Sequence, residues 1–140
     1  MTESARILLI EDNDDHAELV TRALEDHQIV GDIARARDGA EALDYLFGEG
    51  AEGHRPDVIF LDLRLPRVDG LEVLKRIKGE DALKDVPVVV LTTSAADRDL
   101  ASAYDSHVNA YVVKPVDYDA LDKMLRVTGK FWLEWNRRRK

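Results

Sequence analysis

The chain has 140 residues, 45% of them hydrophobic, which suits one globular domain with a proper core. It has no cysteine, so a disulfide framework and a thiolate metal site are both excluded, and a net charge of −8 argues against a broad nucleic-acid footprint. Its apolar runs are strand-sized and no apolar N-terminal segment follows a basic start, so no membrane span or signal peptide is expected and the cytoplasm is the default location.

In chain order, "RILLI" (Arg6–Ile10) is short and dense in Ile and Leu and reads as a strand. It runs into Glu11, Asp12, Asn13, Asp14 and Asp15, a crowd of acids that repel unless a cation or hydrogen bonds compensate. From Asp14 to His27, Ala17, Val20 and Leu24 share one helical face. A weaker strand follows near Gly31–Ala36, then a helix from Ala40 to Phe47. The glycine-rich "GEGAEGHRP" (Gly48–Pro56) is the longest loop, and nothing in it reads as catalytic. "DVIFLDL" (Asp57–Leu63) is continuously apolar up to its acid, as buried parallel strands are. Leu71, Leu74 and Ile77 mark the next helix, Pro87 opens the strand Val88–Thr92, and a helix spans about Asp97–Tyr104. "AYVVK" (Ala110–Lys114) is the last strand, and a long helix starts near Asp117. The basic residues Arg137, Arg138, Arg139 and Lys140 close the chain, where a helix C-terminus favours cations.

Five β-α units without a linker predict a doubly wound five-stranded parallel sheet of order 2-1-3-4-5, a flavodoxin-like three-layer α/β/α fold. Ligands of such folds bind beyond the carboxyl ends of the strands, at the switch point between the first and third. Those ends carry Glu11 and Asp12, then Asp62, then Thr92, then Lys114 with Pro115. Neighbouring strands are ~5 Å apart, so these side chains fall within mutual reach. Three carboxylates there carry three negative charges, which a divalent cation and the Lys114 ammonium balance. Magnesium suits oxygen ligands and a phosphate partner. Zinc suits the site less, because His16, His27, His54 and His107 all lie away from the strand ends and none is expected to be a ligand. An aspartate oxygen is a competent nucleophile toward phosphorus. Asp62, on the central strand, is the chosen nucleophile. Asp14 and Asp15 instead begin the first helix, where acids complement the dipole.

The motifs "ED" (Glu11–Asp12), "FLDLRLPRVDG" (Phe60–Gly70), "PVVVLTT" (Pro87–Thr93) and "AYVVKP" (Ala110–Pro115), in order and each closing a predicted strand, resemble the receiver domain of two-component response regulators. The resemblance runs from Arg6 to about Met124. It implies a single receiver domain over 1–140, with a core of about 6–124 and a C-terminal helical extension of about 125–140. It implies that Asp62 accepts a phosphoryl group from a phosphohistidine on a histidine kinase. Glu11, Asp12, Asp62 and the backbone carbonyl of Arg64 would hold Mg²⁺, while Thr92 and Lys114 would bind phosphoryl oxygens. Tyr111 matches the switch aromatic, Pro66 and Gly70 the loop after the phosphoacceptor, and Lys114–Pro115 a peptide held cis. Such a protein is a signalling phosphoacceptor that catalyses only its own phosphorylation and dephosphorylation. Arg64 and Ser94 depart from the commonest pattern, and both would flank the route of an attacking water.

In the last helix, Leu121, Leu125, Thr128, Trp132 and Trp135 follow a four-three spacing, with Phe131 beside them and Gly129 as a hinge or break. This stripe either folds back on its own domain or forms a homodimer arm through Phe131, Trp132 and Trp135. The "KFWLEW" tail (Lys130–Trp135) resembles single-domain receivers that partner bacterial phytochromes, which implies a light-sensing kinase as donor. Three rivals stand against this reading. A magnesium-dependent phosphohydrolase with an aspartyl-phosphate needs an acid two residues after its nucleophile, where Arg64 stands. A receiver fold kept only for protein binding would be expected to have lost a site residue. A flavodoxin-like cofactor binder would need a phosphate-cradling first loop, and this one is acidic.

Overall fold

The computed structural model describes residues 4–27 and 30–138. Five strands, β1 (Ala5–Ile10), β2 (Val30–Ala36), β3 (Val58–Leu61), β4 (Val88–Thr92) and β5 (Ala110–Val113), pair in parallel in the order β2-β1-β3-β4-β5. The helices are α1 (Asp14–Glu25), α2 (Gly39–Phe47), α3 (Gly70–Gly79), α4 (Asp97–Asp105) and α5 (Tyr118–Lys130). The expected topology is therefore observed, and the loop after α2 contains one short 3₁₀ turn, Ala51–His54.

Strand alternation splits the core into two layers. Leu8, Ile10, Ile59, Leu61, Val88 and Val90 face Val73, Leu74 and Ile77 of α3, with α2 and Ala103 of α4. Ile7, Leu9, Val58, Phe60, Val89 and Leu91 face Ala17, Val20 and Leu24 of α1 and Leu121 and Leu125 of α5. Three helix starts are capped as their residue types favour: Asn13, Asp38 and Asp117 accept from the amides of His16, Glu41 and Ala120. Gly70 is required by close approach, since a Cβ there would lie 2.5 Å from the Asp62 carbonyl oxygen. It lets α3 begin directly beneath the loop that follows β3.

Three expectations are corrected. Among the described residues there is no cis peptide bond, so Lys114–Pro115 is trans, the isomer that X–Pro bonds ordinarily prefer. Gly129 is neither a hinge nor a break: α5 runs through it, and a side chain there would meet Leu24 and His27 of the α1 end at about 3 Å. The buried stripe of the last helix is Leu121, Leu125, Gly129 and Leu133, whereas Trp132 is half-buried and Trp135 is exposed. The register moves because α5 passes into a wider turn with π-type hydrogen bonding over Phe131–Trp135. The tail folds back on its own domain through Leu133, leaving Val127, Phe131 and Trp135 outside. Arg138 donates to the carbonyls of Trp132 and Leu133 at 3.2 Å, as the dipole reading of the basic end expects; Arg139 and Lys140 lie outside the described residues.

Candidate phosphoacceptor site

The topology places the carboxyl ends of β1 and β3 side by side, and the Asp62 amide donates to the Ile10 carbonyl at 2.9 Å. Glu11, Asp12 and Asp62 each bring one carboxylate oxygen within 4.8 Å of the others, Glu11 and Asp62 buried and Asp12 exposed. Lys114 arrives from the end of β5. Its ammonium donates to Glu11 and lies 3.7 Å from Asp62 Oδ2, with the lysine itself only 4% exposed. A buried ammonium needs partners, and these carboxylates are its partners. Backbone bonds hold this arrangement: the Lys114 amide donates to the Thr92 carbonyl at 2.7 Å, tying β5 to β4.

Burial pushes the Glu11 carboxyl up to about 7; the Lys114 ammonium opposes that rise and Asp62 adds to it. Crowding of this kind at a strand end is what a cation relieves. Three oxygens within 4.8 Å, no sulfur or nitrogen donor among them, fit a hard divalent ion.

Thr92 is fully buried, its hydroxyl oxygen accepting from the Ser94 amide at 3.3 Å. Tyr111 is half-buried against the α3 layer and donates from its hydroxyl to the Ser94 carbonyl at 2.9 Å; burial raises its phenol above the ordinary value. The Arg64 amide donates to Asp62 Oδ1 at 3.2 Å. Asp14 stands outside the cluster, paired with Arg35 and Arg37, whose hydrogen bonds and charge hold its carboxyl below the usual range.

Three contributors escape a reading of the sequence. Arg35, on β2, donates from Nε and Nη2 to the Glu11 carbonyl at 3.1 and 2.9 Å, fixing the acidic loop from the sheet edge. His16, one turn into α1, brings Nδ1 to 3.1 Å from Lys114 Nζ, and burial together with the Lys114 charge lowers its pKa. Asp99, in the first turn of α4, is 5% exposed and accepts from both the Arg64 guanidinium and the Ser94 hydroxyl. Only His16 carries a prior signal, its position a single turn past the acids. Phe131 and Trp132 stack edge to face at 5.1 Å, away from the acidic cluster.

Comparison with known proteins agrees with this architecture. The model for the response regulator receiver domain matches residues 7–126. The probable methanogenesis regulatory protein FilR2 of Methanothrix harundinacea is 49% identical over 132 residues, covering 94% of this chain and 85% of that one. Response regulator Rcp1 of Synechocystis is 42% identical over 130 residues, covering 91% and 88%. The crystal structure of the Mn²⁺-bound form of Rcp1 superposes with a TM-score of 0.92 at 40% identity, over 97% of this chain and 99% of that one. The phosphorylated cyanobacterial phytochrome response regulator RcpA gives 0.92 at 39% identity, over 98% and 99%. Among the described residues no helix is long and apolar enough to cross a membrane.

Proposed function

The chain belongs to the response regulator receiver family and is a signalling phosphoacceptor, and from that premise we propose that Asp62 is the phosphorylated residue. Its donor in this reading is the phosphohistidine of a cytoplasmic histidine kinase, and the phosphoryl group passes to an Asp62 oxygen as the bond to the imidazole nitrogen breaks. The observation that carries the reading is the buried approach of Lys114 to Asp62 at 3.7 Å beside Glu11 and Asp12. Glu11, Asp12, Asp62 and the Arg64 carbonyl would hold Mg²⁺, which when bound offsets charge on the phosphoryl oxygens. Lys114 supplies a fixed cation for one of those oxygens, and Thr92 a hydroxyl for another. The protein is then no enzyme beyond making and losing its own acyl phosphate. A phosphohydrolase reading has little support, since Arg64 occupies the place of the second acid and is itself engaged with Asp99.

A phosphoryl group replaces a carboxylate charge with a larger one and three strong acceptors. Lys114 is already in place, so conformations that bring the Thr92 hydroxyl toward the phosphoryl group gain free energy, and the population shifts by that difference alone. Tyr111 follows as the switch residue, because its hydroxyl is bound to the loop joining β4 to α4. The likeness to a phytochrome response regulator supports a light-sensing kinase as donor. Leu125 and Leu133 hold the inner face of the C-terminal extension on its own domain, and in this reading the outward face of that extension serves for homodimerisation. Its exposed aromatic residues Phe131 and Trp135 support that role, while Trp132 packs against the chain's own core.

The test is incubation with acetyl phosphate and Mg²⁺, followed by intact mass and size measurement. Wild type is expected to gain the mass of one phosphoryl group and to run as a dimer, while Asp62→Asn gains none. Labelling of Asp62→Asn at the wild-type level would remove Asp62 from its role.

A further inference from the structure

Asp99 is a buried acid that the phosphoacceptor reading does not use, and its partners come from both loops that border the site. The Arg64 Nη2 atom, two residues beyond Asp62, donates to Asp99 Oδ2 at 2.5 Å, and the Ser94 hydroxyl, two beyond Thr92, donates to the same oxygen at 2.5 Å. The Asp99 side chain is 7% exposed while that of Arg64 is 57% exposed, so a buried carboxylate anchors a cation that otherwise lies in solvent. A carboxylate so buried requires such donors, and its place in the first turn of α4 adds the favourable end of the helix dipole. Arg64 is thereby held away from Asp62 by a competing anion.

We propose that Asp99 is a positioning residue for phosphoryl loss, holding the Arg64 guanidinium clear of the path by which water reaches the phosphoryl group on Asp62. The inference rests on the phosphoacceptor reading above. In the reaction, the water oxygen bonds to phosphorus as the bond from phosphorus to the Asp62 oxygen breaks. The electron pair returns to the carboxylate, and the water proton leaves with inorganic phosphate. A guanidinium released from Asp99 pairs with the dianionic phosphoryl group, for which its planar fork is suited, and covers the face that water must approach. Arg64 is then a brake, and Asp99 limits how far it engages.

The experiment labels wild type, Asp99→Asn, Arg64→Asn and the double variant with acetyl phosphate and Mg²⁺. After the donor is removed, phosphoryl loss is followed by intact mass. Asp99→Asn is expected to slow loss about five-fold, within the range of coupling between contacting residues, and Arg64→Asn to speed it. The double variant is expected to match Arg64→Asn, because without Arg64 the acid has nothing to hold. Equal rates for wild type and Asp99→Asn overturn the proposal. So does the same Asp99→Asn factor whether position 64 is Arg or Asn, since that marks a merely structural role. Failure of wild type to label at all defeats the phosphoacceptor reading and this inference with it. If Asp99→Asn does not fold, the Arg64 Nε resonance of wild type decides: with Asp99 holding the guanidinium, beryllofluoride with Mg²⁺ is expected to leave it largely in place, and a resonance that shifts as the arginine leaves Asp99 for the beryllofluoride overturns the proposal.

Discussion

The helices α4 and α5 flank the same end of the sheet and are attached to it in opposite ways. Helix α5 buries Leu121 and Leu125 and sends Leu133 of the following turn into the α1 layer, with Arg126 pairing to Asp26 and His27 to Glu134 at the rim. Helix α4 buries only Ala103 and Asp99. One is fastened by apolar area, the other by a methyl group and a carboxylate. A carboxylate fastening answers to a new charge at the site next door, whereas apolar burial does not. This contrast puts the movable element beside Asp62 and the fixed one where the chain continues outward.

Breaking the fixed element should cost most. Leu125→Ala is expected to lower stability by about 3 kcal/mol in urea denaturation, the usual range for a fully buried leucine. Ala103→Gly on α4 removes one methyl and weakens a helix interior, and about 1–1.5 kcal/mol is expected from those effects together. Equal costs would abolish the contrast. A finer probe is Tyr111→Phe, which deletes the hydroxyl donating to the Ser94 carbonyl. The expected loss is about 1 kcal/mol. Hydrogen exchange should quicken in α4 and the loop before it while α5 amides keep their protection. Uniform quickening across both helices would show that they open as one unit.

Much of this was written plainly in the chain. Apolar runs located β1, β3, β4 and β5, and the parallel order then carried Glu11, Asp12, Asp62 and Lys114 to one edge, where the geometry does assemble them. Asp99 was not legible. Its segment, "DRDLASAYD", opens with three charged residues in a row, the usual composition of a solvated helix start. Arg64, brought across from another loop by the fold, joins the Ser94 hydroxyl in giving that buried acid its partners. Gly129 misled for a related reason: glycine carries a helix-weakening signal, but here it admits the α1 end at close range. The aromatic residues of the tail drew the predicted stripe toward Trp132 and Trp135. The wider turn after Lys130 instead points Leu133 inward, and no propensity announces such a turn in advance.

The smallest expected effect tests what holds that tail. His27 Nδ1 and Glu134 Oε2 lie 2.5 Å apart, joining the end of α1 to the last turn, with Glu134 40% exposed. A contact to a carboxylate this exposed is screened by water and salt and contributes little, while a glutamine keeps a hydrogen bond there. Glu134→Gln is therefore expected to cost about 0.3 kcal/mol, with no change in oligomer size. Leu133→Ala in parallel should cost about 2–3 kcal/mol, because it empties a buried position between α5 and α1. If instead the charge change costs as much as the leucine, the tail is held electrostatically after all. The extension would then belong with α4 among the parts that respond to charge.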